Sequence, residues 1–182
     1  MSDLQNGQEM QKKMLGQKIE SYLATLYKIA FLQLKNAEDA EDVVQEVFCQ
    51  YIKTDKLFES EDHERAWLIK ITLNACRKLW RSAWYRHNTP MPENMFSDDT
   101  AEDGRPENDY IRREENAELM KAVWELPDKY REVIHLFYYE ELSVKEIADI
   151  CGRQESTVIS QLTRGRNILK KRLKEGYQFE EF

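Results

Sequence analysis

The sequence predicts an all-α protein, built as two small helical domains joined by an acidic flexible linker. Apolar residues recur at i, i+3, i+4 and i+7 along most of the chain, the signature of amphipathic helices, and no stretch alternates as a strand would. With 41% apolar and 34% charged residues, 6 Gly and 4 Pro in 182 residues, the composition suits small helical units with much surface for their core. Between Pro90 and Asp109 the chain carries Pro90, Pro92, Gly104 and Pro106 among seven acids and few apolar residues, which reads as a tether between two cores.

Residues 1–18 form a polar N-terminal extension, and the first domain spans residues 19–86. Its first helix carries Tyr22, Leu23, Leu26, Tyr27, Ala30 and Leu34 at helical spacing. Asn36, with Asp39 three residues on, starts a second helix whose stripe is Ala40, Val43, Val44, Val47 and Tyr51. A third places Leu68, Ile71, Ala75 and Leu79 on one side. Residues 87–109 form the linker, and residues 110–176 the second domain. There Ala117, Met120, Val123 and Trp124 mark a fourth helix, and Pro127 opens a fifth carrying Tyr130, Val133, Ile134 and Phe137. Ser143 and Glu146 have the spacing of a capping box, so a sixth helix begins there and runs through Ile147, Ala148 and Cys151 to Gly152. A seventh starts near Glu155 with Val158 and Leu162 inward, and residues 177–182 are a tail.

The cysteines Cys49, Cys76 and Cys151 are scattered without a Cys-x-x-Cys pair, as expected of thiols in a reducing cytosol. His63, His87 and His135 share no metal-ligand spacing, so neither a metal nor another cofactor is expected. Residues Met1 to Lys18 contain no apolar leader, and no run is long enough to cross a bilayer, which points to the cytoplasm. No nucleophile is paired with a base and no Gly-rich loop could cradle phosphate, so an enzyme is not expected.

Gly152 between the sixth and seventh helices supplies the positive φ and the small side chain that a helix-turn-helix needs. The outer face of the seventh helix would carry Thr157, Ser160, Gln161 and Arg164, side chains able to reach base edges in a major groove. An ordinary helical hairpin would show the same turn. The basic run Arg164, Arg166, Lys170, Lys171 and Arg172 favours DNA, since it places phosphate-seeking charge along that helix.

Charge is sorted by sign along the first domain. Asp39, Asp42 and Glu46 share a helix face that repels DNA and suits a basic protein partner. From Arg65 to Arg86 there are only bases, with Lys70, Asn74, Arg77 and Arg81 on one stripe. Trp67, Trp80, Trp84 and Tyr85 are interleaved, as in surfaces that hold unstacked bases, although Trp67 and Trp80 also fit a core. The net charge of −7 is unhelpful to an isolated DNA binder.

Taken together, Asp39-Ala40-Glu41-Asp42-Val43-Val44-Gln45-Glu46-Val47-Phe48, Trp67-Leu68-Ile69-Lys70-Ile71 with Asn74, Leu126-Pro127 with Tyr130-Arg131, and Ser143 to Arg166 resemble bacterial sigma factors of the extracytoplasmic-function (ECF) group of the sigma-70 family. The likeness covers residues 19–86 and 110–174. It implies that the first domain docks on core RNA polymerase and melts the −10 element, and that the second reads the −35 element. Asp39, Asp42, Gln45, Glu46 and Phe48 would bind the clamp helices of the largest polymerase subunit. Phe58, Ile69, Ile71 and Asn74 would surround a base flipped from the −10 duplex, with Lys70, Arg77 and Arg81 on its backbone. Thr157, Ser160, Gln161, Arg164 and Lys170 would contact the −35 DNA, with Ile159 and Gln161 standing where relatives commonly carry bases. The linker would thread through the polymerase toward its RNA path. An anti-sigma protein is implied as a further partner, covering the face from Asp39 to Phe48, the −35 domain, or both. Polymerase would contribute much of the phosphate contact, which accommodates the acidic net charge. The competing reading is a free-standing helix-turn-helix regulator whose N-terminal bundle dimerises or senses a ligand.

Overall fold

The computed structural model describes residues 2–81 and 118–173; the linker segment and the C-terminal tail lie outside the described residues. The described residues are helices and short connections without a strand, and the chain divides into two compact units, Met1–His87 and Asn88–Phe182.

In the first unit α1 (Ser2–Leu34) packs against both α2 (Ala37–Lys53) and α3 (Glu61–Arg81), which also pack on each other. Helix α1 is already helical from Ser2, so residues 2–18 continue it without a break. Because two helices cover its C-terminal end, the whole run from Ile29 to Leu34 is buried there, Gln33 included. Leu23, expected on the inner stripe, is instead exposed. Lys35 takes a left-handed conformation at the turn, and the Asn36 side chain then caps α2 by accepting from the Asp39 amide at 3.1 Å. Helix α2 buries Ala40, Val43, Val44, Val47, Phe48 and Tyr51. On α3 the inward stripe is rotated from the expected one: Leu68, Ile69, Thr72, Leu73 and Cys76 are buried, while Ile71, Ala75 and Leu79 are half-buried at its edge. The Thr72 hydroxyl can face the core because it donates to the Leu68 carbonyl at 2.8 Å.

A carboxylate, that of Glu64, is also buried in this bundle. It accepts from Lys18 Nζ at 2.6 Å, from the Tyr51 hydroxyl at 2.6 Å and from the Tyr22 hydroxyl at 3.4 Å, so one charge ties together all three helices. Burial alone would raise its pKa, but the Lys18 and Tyr51 hydrogen bonds and the Lys18 charge hold it below the ordinary carboxylate value. Burial beside that anion raises the pKa of both tyrosines, that of Tyr51 well above the usual phenol range.

In the second unit the described part of α4, residues 118–124, buries Met120, Ala122, Val123 and Trp124. Helix α5 (Asp128–Tyr138) starts after Pro127, which supplies no side-chain cap but whose carbonyl accepts from the Tyr130 and Arg131 amides. Helix α5 packs on α6 (Val144–Cys151) and on α7 (Glu155–Arg172), and these two pack on each other. Arg131 is fully buried, donating to the carbonyls of Trp124 at 3.1 Å and Leu126 at 2.6 Å and pairing with Asp128. It thereby satisfies the Trp124 carbonyl at the end of α4 and the Leu126 carbonyl in the connection that follows, while pinning the first turn of α5 through Asp128. Ser143 and Glu146 form the expected capping box, and Gly152 ends α6 with φ 65° and ψ 41°. No helix among the described residues is long and apolar enough to cross a membrane, and none of their His, Cys, Asp and Glu side chains cluster as a metal site.

Because the folded pKa of Glu64 is depressed, its contribution to stability is complete above the unfolded carboxylate value, about 4.3, and is lost as the pH falls through the lower folded value. Glu64→Gln is expected to cost the full chain roughly 1–3 kcal/mol at neutral pH in urea denaturation and to flatten the acid limb of the same series. An acid limb identical to the parent's would show that other carboxylates govern it.

Candidate nucleic-acid interface

The turn from α6 to α7 is closed by the backbone. The amides of Gly152 and Arg153 both reach back to the Ala148 carbonyl, as the left-handed residue at a helix end allows. Gly152 is required for its φ alone: a Cβ built there meets nothing within 4 Å, so the close packing expected of it is not found. The close approach belongs instead to Gly165 in α7, where a Cβ would stand 2.9 Å from Ile134 Cγ1 of α5. No short motif announces that glycine, because the crowding comes from another helix.

Val158 and Leu162 are fully buried, which turns Thr157, Ser160 and Arg164 outward with Gln161 beside them. These four residues, with Ser156 and with Lys129 and Tyr130 of α5, line a shallow depression of about 310 Å³. Lys129 lies 4.9 Å over the Tyr130 ring, so α5 adds a cation and an aromatic to the rim. Such a polar, concave surface on an exposed helix face can accept the edge of a base and its phosphates.

The basic run on α7 proves to have divided duties. Arg166, expected to seek phosphate, is buried: its Nε donates to the Tyr138 hydroxyl at 2.7 Å and its guanidinium lies over the Phe137 and Tyr138 rings. Arg172 pairs with Glu125 at 3.0 Å. Lys170 is exposed, but at about 100° per residue it sits some 120° round the helix from Arg164, whereas Lys171 falls close to the Arg164 line. Lys171 is therefore the better continuation of the outward face, and its spacing of seven residues, two helical turns, from Arg164 was the signal that could have chosen it.

The first unit presents the second surface. Lys70, Asn74 and Arg81 are exposed and Arg77 is half-buried on one side of α3, with Arg77 donating to Asn74 Oδ1 at 3.3 Å. Trp67 falls on the flank of this stripe and is half-buried, its ring 5.4 Å from Phe58 and 6.5 Å from Tyr51. Lys56, absent from the expected set, lies over both Phe58 and Trp67, at 5.5 and 5.7 Å. Its position in a loop three residues past the end of α2 carries no periodic signal. Ile71 is half-buried at the edge of the same stripe, but Ile69 is fully buried on the opposite side and so does not join Phe58, Ile71 and Asn74. Trp80 is part exposed, with its indole N–H donating to the Gln33 carbonyl at 3.2 Å; Trp84 and Tyr85 lie outside the described residues.

On α2, Asp42, Gln45 and Glu46 are exposed and Asp39 is half-exposed, while Phe48 points into the bundle and is 8% exposed. Phe48 thus supports the acidic face from beneath. Lys78 reaches Glu46 at 3.7 Å, so the acidic and basic surfaces meet along the α2–α3 seam.

Arg166→Ala is expected to destabilise the folded chain by about 1–3 kcal/mol in chemical denaturation, while Arg164→Ala stays within about 0.5 kcal/mol and acts on DNA binding alone. The reverse ordering would return Arg166 to the DNA-facing set.

The family model Sigma-70 region 2 matches residues 19–86, and Sigma-70, region 4 matches residues 116–169. The ECF RNA polymerase sigma factor SigW of Bacillus subtilis is 30% identical over 164 residues, covering 86% of this chain and 87% of that protein. Among solved structures, the sigma factor RpoE in complex with the anti-sigma factor NepR from Bartonella quintana superposes with a TM-score of 0.64 at 23% identity, over 87% of this chain and 96% of that one. CnrH in complex with the cytosolic domain of CnrY gives a TM-score of 0.56 at 23% identity, over 88% and 87%. These two show a common fold. With both regions present in order and an ECF relative matched along most of its length, the chain belongs to the ECF group of the sigma-70 family of RNA polymerase sigma factors.

Proposed function

We propose that this chain binds core RNA polymerase and directs promoter-specific transcription initiation, the two α-helical units recognising the −10 and −35 elements and the first opening the duplex. The observation that carries the reading is the ordered pair of region 2 and region 4, with SigW alike across both.

Residues 19–86 dock on the polymerase and engage the −10 element, residues 110–176 engage the −35 element, and residues 87–109 connect them. Asp39, Asp42, Gln45 and Glu46 form the docking face for the clamp helices of the largest polymerase subunit, because four polar side chains stand out from a helix whose other side is core. Lys70, Arg77 and Arg81 follow the −10 backbone, and Phe58, Trp67, Ile71 and Asn74 receive an unstacked base, with Lys56 adding charge over the rings. Asn74 must release Arg77 to do so. Thr157, Ser160, Gln161 and Arg164 read the −35 duplex, and Lys170 and Lys171 contact its phosphates. The chain performs no bond chemistry of its own and works in the cytoplasm, where polymerase and promoter are.

An anti-sigma protein is the second partner we assign. The sigma factor RpoE of similar fold is held in a complex with the anti-sigma factor NepR, and the exposed acidic face of α2 offers a surface for a competitor of polymerase.

The double substitution Asp42→Arg with Glu46→Arg is expected to reduce capture of core polymerase by at least about tenfold, since it sets two cations against a basic partner. Retained stoichiometric capture would sink the docking face. Asn74→Ala should slow open-complex formation, followed by permanganate reactivity, while leaving closed-complex binding within about twofold. Equal losses in both steps would remove Asn74 from the melting step.

A further inference from the structure

A line of polar contacts runs from the core of the second unit to the outward face of α7. It starts at Glu132 of α5, which is buried. One of its carboxylate oxygens accepts from Cys151 Sγ at 2.9 Å, and the other pairs with Arg153 at 3.3 Å. The second terminal nitrogen of Arg153 donates to Gln161 Oε1 at 3.0 Å. Gln161 itself lines the depression with Thr157, Ser160 and Arg164, so the line ends at the proposed DNA surface.

The orientation of the Gln161 amide follows from donor chemistry. A guanidinium has N–H donors and no acceptor, so only the amide oxygen can face Arg153, and the amide nitrogen is left for an outside partner. An unrestrained glutamine commonly pairs with adenine by turning both groups to the base, donating to N7 and accepting from the N6 amine. With Oε1 drawn toward the α6–α7 turn, that two-handed contact is lost. Glu132 makes the arrangement durable, because it holds and neutralises the guanidinium, whose side chain is only 21% exposed, and keeps it from swinging out to a phosphate.

We propose that Arg153 is a positioning residue for −35 specificity: by holding Oε1 of Gln161 it makes Gln161 a donor-only reader. Such a reader favours guanine, whose major-groove edge offers the acceptors N7 and O6, over adenine and cytosine, which each present an amine there. The inference rests on the proposed reading of α7 as the −35 helix.

The test equilibrates holoenzyme, assembled from the full chain and core polymerase, with a duplex promoter library randomised through the −35 element, and sequences the bound fraction. Gln161→Ala locates the base pair that Gln161 reads, as the position whose preference it erases. At that position the parent chain should favour guanine, and Arg153→Met should move the guanine-to-adenine ratio roughly tenfold toward adenine while leaving other positions unchanged. Arg153→Lys keeps a donor for Oε1 and should keep the parent ratio. The pair Glu132→Gln with Arg153→Met leaves no unpaired buried carboxylate and should reproduce the shift with a melting temperature near the parent's. A ratio unmoved by Arg153→Met, a loss spread evenly over all positions, or a Gln161→Ala that erases no position would each overturn the proposal. A parent holoenzyme without any −35 preference would instead overturn the reading of α7 on which it rests.

Discussion

The second unit is organised around a guanidinium with no access to solvent. Burying Arg131 carries a desolvation cost of several kcal/mol, which is bearable only because the Trp124 and Leu126 carbonyls before α5 and the Asp128 carboxylate surround it. Those contacts fix α5 in place, and α5 is the platform for the reading head. Its Glu132 holds Arg153 at the turn, its Ile134 sits against Gly165, and its Phe137 and Tyr138 hold Arg166. Helix α7 is therefore gripped by α5 near its start and along its middle. A helix held at two points presents its outer side chains in a defined direction, which base readout requires.

Glu64 plays the corresponding part in the first unit with the opposite sign. Lys18 and Tyr22 of α1 and Tyr51 of α2 converge on this α3 carboxylate, so the bundle is closed by directional bonds as well as by its apolar core. Both units thus combine a small hydrophobic core with a buried charge held by several directional bonds. Units of this size gain limited stability from area alone, and a partnered charge also disfavours other packings of similar amphipathic helices.

The distribution of surface charge suits a subunit that works on a larger machine. A net charge of −7 opposes unaided binding to DNA, and three of the five cations on α7 (Arg164, Lys170 and Lys171) remain exposed while Arg166 and Arg172 are engaged within the fold. An acidic chain with few free cations on its reading helix suits a sigma factor whose phosphate contacts are shared with polymerase. The seam where Lys78 meets Glu46 marks the boundary between the surface proposed for protein and the surface proposed for DNA.

Much of this was written in the order of residues. Helical periodicity gave the all-α class, and local chemistry, in which partners lie three or four residues apart, gave the Asn36 cap, the Ser143 capping box and the left-handed Gly152. The acidic face of α2 and the outward set from Thr157 to Arg164 were legible for the same reason, because a single helix's geometry decides which residues share a side. The tertiary structure decided which of those sides is covered. It rotated the buried stripe of α3 so that Ile69 went inside, sent Phe48 into the core, withdrew Arg166 from the DNA-facing run, and brought Lys56 over Trp67 and Arg153 onto Gln161. Each of these depends on a residue from another helix or loop, and the balance between desolvating a side chain and partnering it is settled only when that neighbour arrives.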